Sequence, residues 1–105
     1  MTITKTTEGS NIVLSPEGRI DTVTAPELDS EVTAAIAELG SSASLVLDFA
    51  NLVYISSSGL RVLLTAHKTM SKKEGTFVIR NVNKNIMEIF TLTGFAKILN
   101  IEANG

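Results

Sequence analysis

From Thr24 onward, segments with helical apolar spacing alternate with short runs of strand-forming, largely apolar residues, the pattern of a parallel sheet whose strands are connected through helices. The first helical segment carries Leu28, Val32, Ala35, Ile36 and Leu39 on one stripe. Thr24 with Glu27 three residues on matches a capping box, Pro26 falls in the first turn, and Gly40 marks the stop. In the next strand, Ala43–Phe49, Leu45-Val46-Leu47 show no polar alternation, which predicts cover on both faces. A second helix is predicted from about Ser58 to Lys72, with Leu60, Leu63, Leu64 and Met70 on one side and Arg61, Thr65, Lys68 and Lys72 on another. A strand over 76–80 follows, then a helix over 84–92 packing through Ile86, Ile89 and Phe90 and closed by Thr93-Gly94. The last strand is placed at 98–101.

Ahead of this alternation, residues 2–7 and 11–15 read as a hairpin turned at Glu8-Gly9-Ser10. Ser15-Pro16-Glu17-Gly18 breaks or bends its second strand. The order β-β-α-β-α-β-α-β predicts one α/β domain: a mostly parallel central sheet with an N-terminal antiparallel hairpin and helices packed on it. Hydrophobic residues make up 44% of the 105, enough for a core without metals or disulfides.

Composition excludes several function classes. A net charge of −2 provides no basic field for nucleic acid, and the aromatic residues Phe49, Tyr54, Phe77, Phe90 and Phe95 are too few for a base-stacking platform. With no cysteine there are no disulfides or common zinc ligand sets, as fits a reducing compartment. With one histidine, a metal site would need carboxylates, and no cofactor is expected. Met1 to Thr7 lack the apolar core of a signal peptide, and no apolar run reaches membrane-spanning length. The expectation is a soluble cytoplasmic domain without membrane insertion.

The chemistry concentrates at Ser56-Ser57-Ser58-Gly59-Leu60, where a strand meets a helix start. Nucleophilic catalysis needs a base within hydrogen-bonding reach. The only histidine, His67, lies ten residues beyond Ser57, ~15 Å along a helix. Neither a Gly-x-Ser-x-Gly elbow nor a Ser-x-x-Lys spacing is present, so an enzyme is the least favoured class. A nucleotide site would call for a Walker lysine or a Gly-x-Gly-x-x-Gly run, and neither occurs. Helix capping explains one serine and leaves two hydroxyls free. Ser58 is the better cap by position. A free hydroxyl at a helix start could also carry a phosphate that the fold itself tolerates.

Asp48 to Leu64, with Ile55-Ser56-Ser57-Ser58-Gly59-Leu60 at its centre, resembles the central motif of STAS domains, specifically the bacterial anti-sigma factor antagonists. Gly18-Arg19-Ile20-Asp21 followed by Thr24-Ala25-Pro26-Glu27-Leu28 resembles the turn before that family's first helix. Asn81-Val82-Asn83, Ile86 to Phe90 and Leu92-Thr93-Gly94-Phe95 resemble its third-helix segment. The resemblance implies a STAS fold and a protein-interaction switch. The unphosphorylated domain binds an anti-sigma factor that is also a serine kinase, so releasing a sigma factor. The kinase phosphorylates a serine at this helix start and ends the binding, and a serine phosphatase restores it. Carried over by position, the acceptor is Ser57, with Ser56 and Ser58 behind it. Asp21, Thr22, Ser56, Ser57, Ser58, Gly59 and Arg61 form the implied partner-binding set. Many antagonists carry aspartate immediately before the phosphoserine, where this chain has Ser56.

Two other functions share the same features: a non-enzymatic STAS subunit of a larger signalling or lipid-transport assembly, and a small nucleotide or anion sensor. The remaining polar residues have structural readings. His67 fits a partly buried or surface helix position better than a ligand, since no second ligand is evident. Lys68, Lys72 and Lys73 complement their own helix dipole. Asp48 reads as a loop or turn residue, Ile55 as core, and Tyr54 is open between core and partner contact.

Overall fold

The computed structural model describes residues 1–103. The elements are β1 (Thr2–Glu8), β2 (Asn11–Ile20), α1 (Ala25–Glu38), β3 (Ser44–Asp48), β4 (Leu52–Ile55), α2 (Ser57–Lys72), β5 (Thr76–Val82), α3 (Lys84–Thr93), a 3-10 turn over Phe95–Lys97, and β6 (Asn100–Ala103). Five strands lie in the order β1-β2-β3-β5-β6, and β4 pairs with β2. Among the described residues only the β1–β2 hairpin is antiparallel. The result is a mixed α/β fold with a mostly parallel six-stranded sheet.

β2 organises the sheet because it is long enough to serve two strands in succession. Ile12 to Leu14 pair with Leu45 to Leu47 of β3, and Gly18 to Ile20 pair with β4, with a register shift between Gly18 and Arg19. Ser15-Pro16-Glu17-Gly18 therefore bends the strand without ending it, and β2 runs to Ile20 rather than stopping at residue 15. Pro16 falls between the two pairings, where no ladder partner on that side requires its missing N–H.

The core follows the apolar patterning. Leu14, Leu45, Leu47 and Ile79 of the sheet are fully buried together with Leu28 of α1, Leu63 and Met70 of α2, and Ile86 and Phe90 of α3. Each such side chain contributes roughly 1.5–3 kcal/mol of transfer free energy. Val46 is buried as well, so β3 is covered on both faces, as its unbroken apolar run requires. The rings of Phe49 and Phe90 stack at 6.5 Å between centroids and anchor α3 beside the end of β3. Gly94 ends α3 in the left-handed region at φ 82°, a conformation glycine adopts without Cβ strain.

Three local readings are corrected. Thr24 does not cap α1, because its hydroxyl turns back to accept from the Asp21 amide and donate to the Arg19 carbonyl, each at 2.8 Å. Lys73 does not serve its own helix: its ammonium donates to the carbonyls of Ile36 and Leu39 at 2.7 and 2.6 Å, closing the C-terminal end of α1. The last strand begins at Asn100, since the 3-10 turn after Gly94 carries the chain through Ile98, which is half exposed.

Candidate functional site

The site is built where β2 and β4 end side by side. Ile20 is in register with Ile55, and the Ser56 amide donates to the Ile20 carbonyl at 2.8 Å, adding one more rung to the ladder. That bond holds the loop beginning at Asp21 against the start of α2. Ser56 is consequently the N-cap, extended at φ −93° and ψ 176°, and its hydroxyl accepts from the Gly59 amide at 3.5 Å. The cap is thus one of the flanking serines, but Ser56 rather than Ser58. Ser57 and Ser58 are the first two residues of the helix.

This register distributes the three hydroxyls. Ser57 is exposed and its hydroxyl makes no hydrogen bond among the described residues. Ser58 is half-buried and lines a shallow groove of about 260 Å³ with Thr22, Ala25, Pro26, Asp29 and Val62, between α1 and α2. Thr22 and Arg61 are exposed.

Gly59, one of the implied partner-binding set, is buried. A Cβ there would stand 2.6 Å from Ile20 Cγ2 and 2.6 Å from Ile55 Cγ1. Its role is to let the first turn of α2 close onto the two strand ends.

Asp21 shapes the facing loop. Its Oδ1 accepts from the amides of Val23 and Thr24, both at 3.0 Å, which orders the turn ahead of α1. The Thr24 amide bond, assisted by the Val23 amide and nearby Arg19, holds the carboxyl below its ordinary pKa of 3.8 against the opposing effect of desolvation. Asp21 is therefore anionic at neutral pH. Arg19 lies with its guanidinium 4.4 Å from the Tyr54 ring centroid, across the β2–β4 pair. Tyr54 is half-buried by this contact and Ile55 is core.

Sequence reasoning missed two exposed apolar side chains at this end, Val23 at 81% and Val53 at 64% exposure. Val23 had a readable signal. An apolar residue inside the Asp-Thr-Val-Thr turn, ahead of the helix stripe, has no core face to join.

His67 occupies the third turn of α2, half-buried, ~15 Å from Ser57 by helical rise and beyond the reach of a general base. Asp48 is the last residue of β3. Its carboxylate accepts from the Ala50 amide at 3.0 Å, Arg80 Nε at 3.1 Å and Asn81 Nδ2 at 3.1 Å. Partial burial pushes its pKa up, but the bonds from Asn81, Ala50 and Arg80 outweigh that and lower it. The guanidinium of Arg80 also donates to Glu8, which together with Asp48 holds it protonated. This cluster ties the hairpin tip to β3 and β5, with its acceptors occupied. Among the described residues no three potential metal ligands gather, and no helix is long and apolar enough to cross a membrane.

The STAS domain family profile matches residues 2–104. BtrV of Bordetella bronchiseptica, provisionally named an anti-sigma factor antagonist, is 32% identical over 82 residues, covering 78% of this chain and 69% of its own. The anti-sigma-B factor antagonist of Bacillus subtilis is 29% identical over 94 residues, 90% of this chain and 84% of its own. The crystal structure of an anti-sigma factor antagonist from Mycobacterium paratuberculosis superposes with a TM-score of 0.84 at 27% identity, over 96% of this chain and 84% of that one. The chain belongs to the STAS domain family.

Proposed function

We propose that this chain is an anti-sigma factor antagonist whose interaction with its partner is switched by phosphorylation of Ser57. The observation that carries the reading is the division of labour among the serines: Ser56 caps the helix, which leaves the exposed Ser57 hydroxyl uncommitted. The names of the relatives support the partner class, an anti-sigma factor. The finer reading is that this partner is itself a serine kinase and that a serine phosphatase reverses its action, all in the cytoplasm.

In the transfer, the Ser57 oxygen attacks the γ-phosphorus of ATP, the bond to the β–γ bridging oxygen breaks, and ADP leaves. The hydroxyl proton passes to a base of the kinase, so this chain is substrate and not enzyme. The product carries about −1.5 to −2 charges beside Asp21. Contacts that the partner makes to a neutral hydroxyl would then have to desolvate a dianion.

The test uses Ser57→Ala and Ser57→Asp as baits in lysate of the source organism. The alanine variant is expected to retain a small protein that labels the wild-type chain from ATP within residues 56–58, and the aspartate variant to lose it. Labelling confined to other residues, or equal retention by both baits, would overturn the reading.

A further inference from the structure

We propose that Arg61 is the counter-ion of a phosphate on Ser57, so that phosphorylation withdraws Arg61 from the surface offered to the partner while it adds the new charge. The inference rests on the reading of Ser57 as the acceptor.

Ser57 and Arg61 stand four residues apart in α2 and both are exposed, which places them as neighbours on one face of the helix. The anion would be N-terminal to the cation, the favourable order for such a pair. Arg61 makes no ion pair among the described residues, where the cations that do are the N-terminal amine, Lys5 and Arg80. Competing cations are also absent from the chain around the site. No lysine or arginine occurs between Ile20 and Leu60. Arg19 is engaged over the Tyr54 ring, and Lys68 lies ~10 Å beyond Arg61 along the helix.

The carboxylates reinforce the assignment. Asp21 follows the strand end paired with Ile55, and Asp29 lines the groove that Ser58 shares. Both oppose a dianion on the α1 side and leave the Arg61 side as its favourable direction. A guanidinium donates to two phosphate oxygens at once, a geometry that lysine does not reproduce. Free of phosphate, Arg61 is available to a partner; paired with it, Arg61 is held over the helix start.

The test installs phosphoserine at position 57 during synthesis and follows its second ionisation by phosphorus NMR, in wild type and in Arg61→Gln. Arg61 favours the dianion, so the glutamine variant is expected to titrate roughly 0.3 unit higher, as an i,i+4 pair predicts. The Arg61 Nε resonance should move with the same titration. Equal phosphate pKa values in the two chains, with an unmoved Nε resonance, would overturn the pairing. Because the phosphate is placed without a kinase, a kinase that chooses another residue would sink the reading of Ser57 and leave this measurement intact.

Discussion

The Ser56 amide bonds to the Ile20 carbonyl at 2.8 Å. This single contact extends the β2–β4 ladder past its last strand residues and sets where α2 begins. It brings the Asp21 loop and the serine triplet, 35 residues apart in sequence, to one rim. It also decides that the Ser56 side chain turns to the Gly59 amide while the next hydroxyl stays free.

Gly59→Ala tests how tightly that junction is packed. The added Cβ would lie 2.6 Å from carbons of both Ile20 and Ile55, and Ile20 is fully buried, so α2 or the strand ends must shift. Overpacking of this kind costs about 1–3 kcal/mol, partly offset by the better helix propensity of alanine, about 1 kcal/mol. Urea denaturation is expected to show a net loss of up to about 2 kcal/mol. An unchanged midpoint would mean that the junction is looser than described.

Lys73→Met removes the two bonds that close α1 from the far end of α2. The stem keeps its packing, so the loss reports on the ammonium. Charge-assisted bonds at a half-exposed site are worth about 1–2 kcal/mol together. Equilibrium unfolding should register that loss, and hydrogen exchange should quicken first in the last turn of α1. Protection lost equally throughout the chain would contradict a local role.

Much of this architecture was legible because it follows from side-chain period. The stripe Leu28, Val32, Ala35, Ile36 and Leu39 is buried throughout, and the apolar centre of β3 is covered on both faces. β4 was not legible. Leu52-Val53-Tyr54-Ile55 is four residues long, and it pairs with the far half of a strand that is itself bent at Gly18 and Arg19. Nor could three consecutive serines disclose which one caps. That depends on the long-range bond to Ile20, which no local pattern encodes. The Thr24–Glu27 spacing misled for a related reason: Asp21, three residues earlier, takes the Thr24 amide that a Glu27 side chain would have capped, and the Thr24 hydroxyl is turned toward the strand it follows.

Asp48→Asn should reshape the acid limb of stability. The folded carboxyl titrates below its ordinary value of 3.8, so its contribution is present above that value and is lost as pH falls through the folded pKa. Wild type should exceed the variant at neutral pH, and the gap should close below about pH 4. Asp21 has the same sign, its pKa lowered chiefly by the Thr24 amide, so Asp21→Asn should likewise flatten the acid limb. Urea titrations across pH check both. A gap for Asp48→Asn that persists undiminished at the acid end would show that its charge is not what holds Arg80 and Asn81.

Ser56 invites substitution in both directions. Ser56→Ala removes the cap acceptor, and with Gly59 N at 3.5 Å the loss should sit at the low end for caps, about 0.5–1 kcal/mol. Ser56→Asp places at this position the residue that many antagonists carry. Asp and Ser cap comparably, so any gain must come from the helix dipole, about 0.3–1 kcal/mol at low salt. Asp21 opposes that gain from the adjoining strand end. The aspartate should therefore stabilise by less than about 0.5 kcal/mol in the wild-type background. It should stabilise by more when Asp21→Asn is present, and both gains should fade as salt is raised. Denaturation of the four chains at two salt concentrations measures the coupling between positions 21 and 56 directly. If Ser56→Ala left stability unchanged, α2 would have to start at a different serine, and the assignment of a free hydroxyl to Ser57 would fall with it.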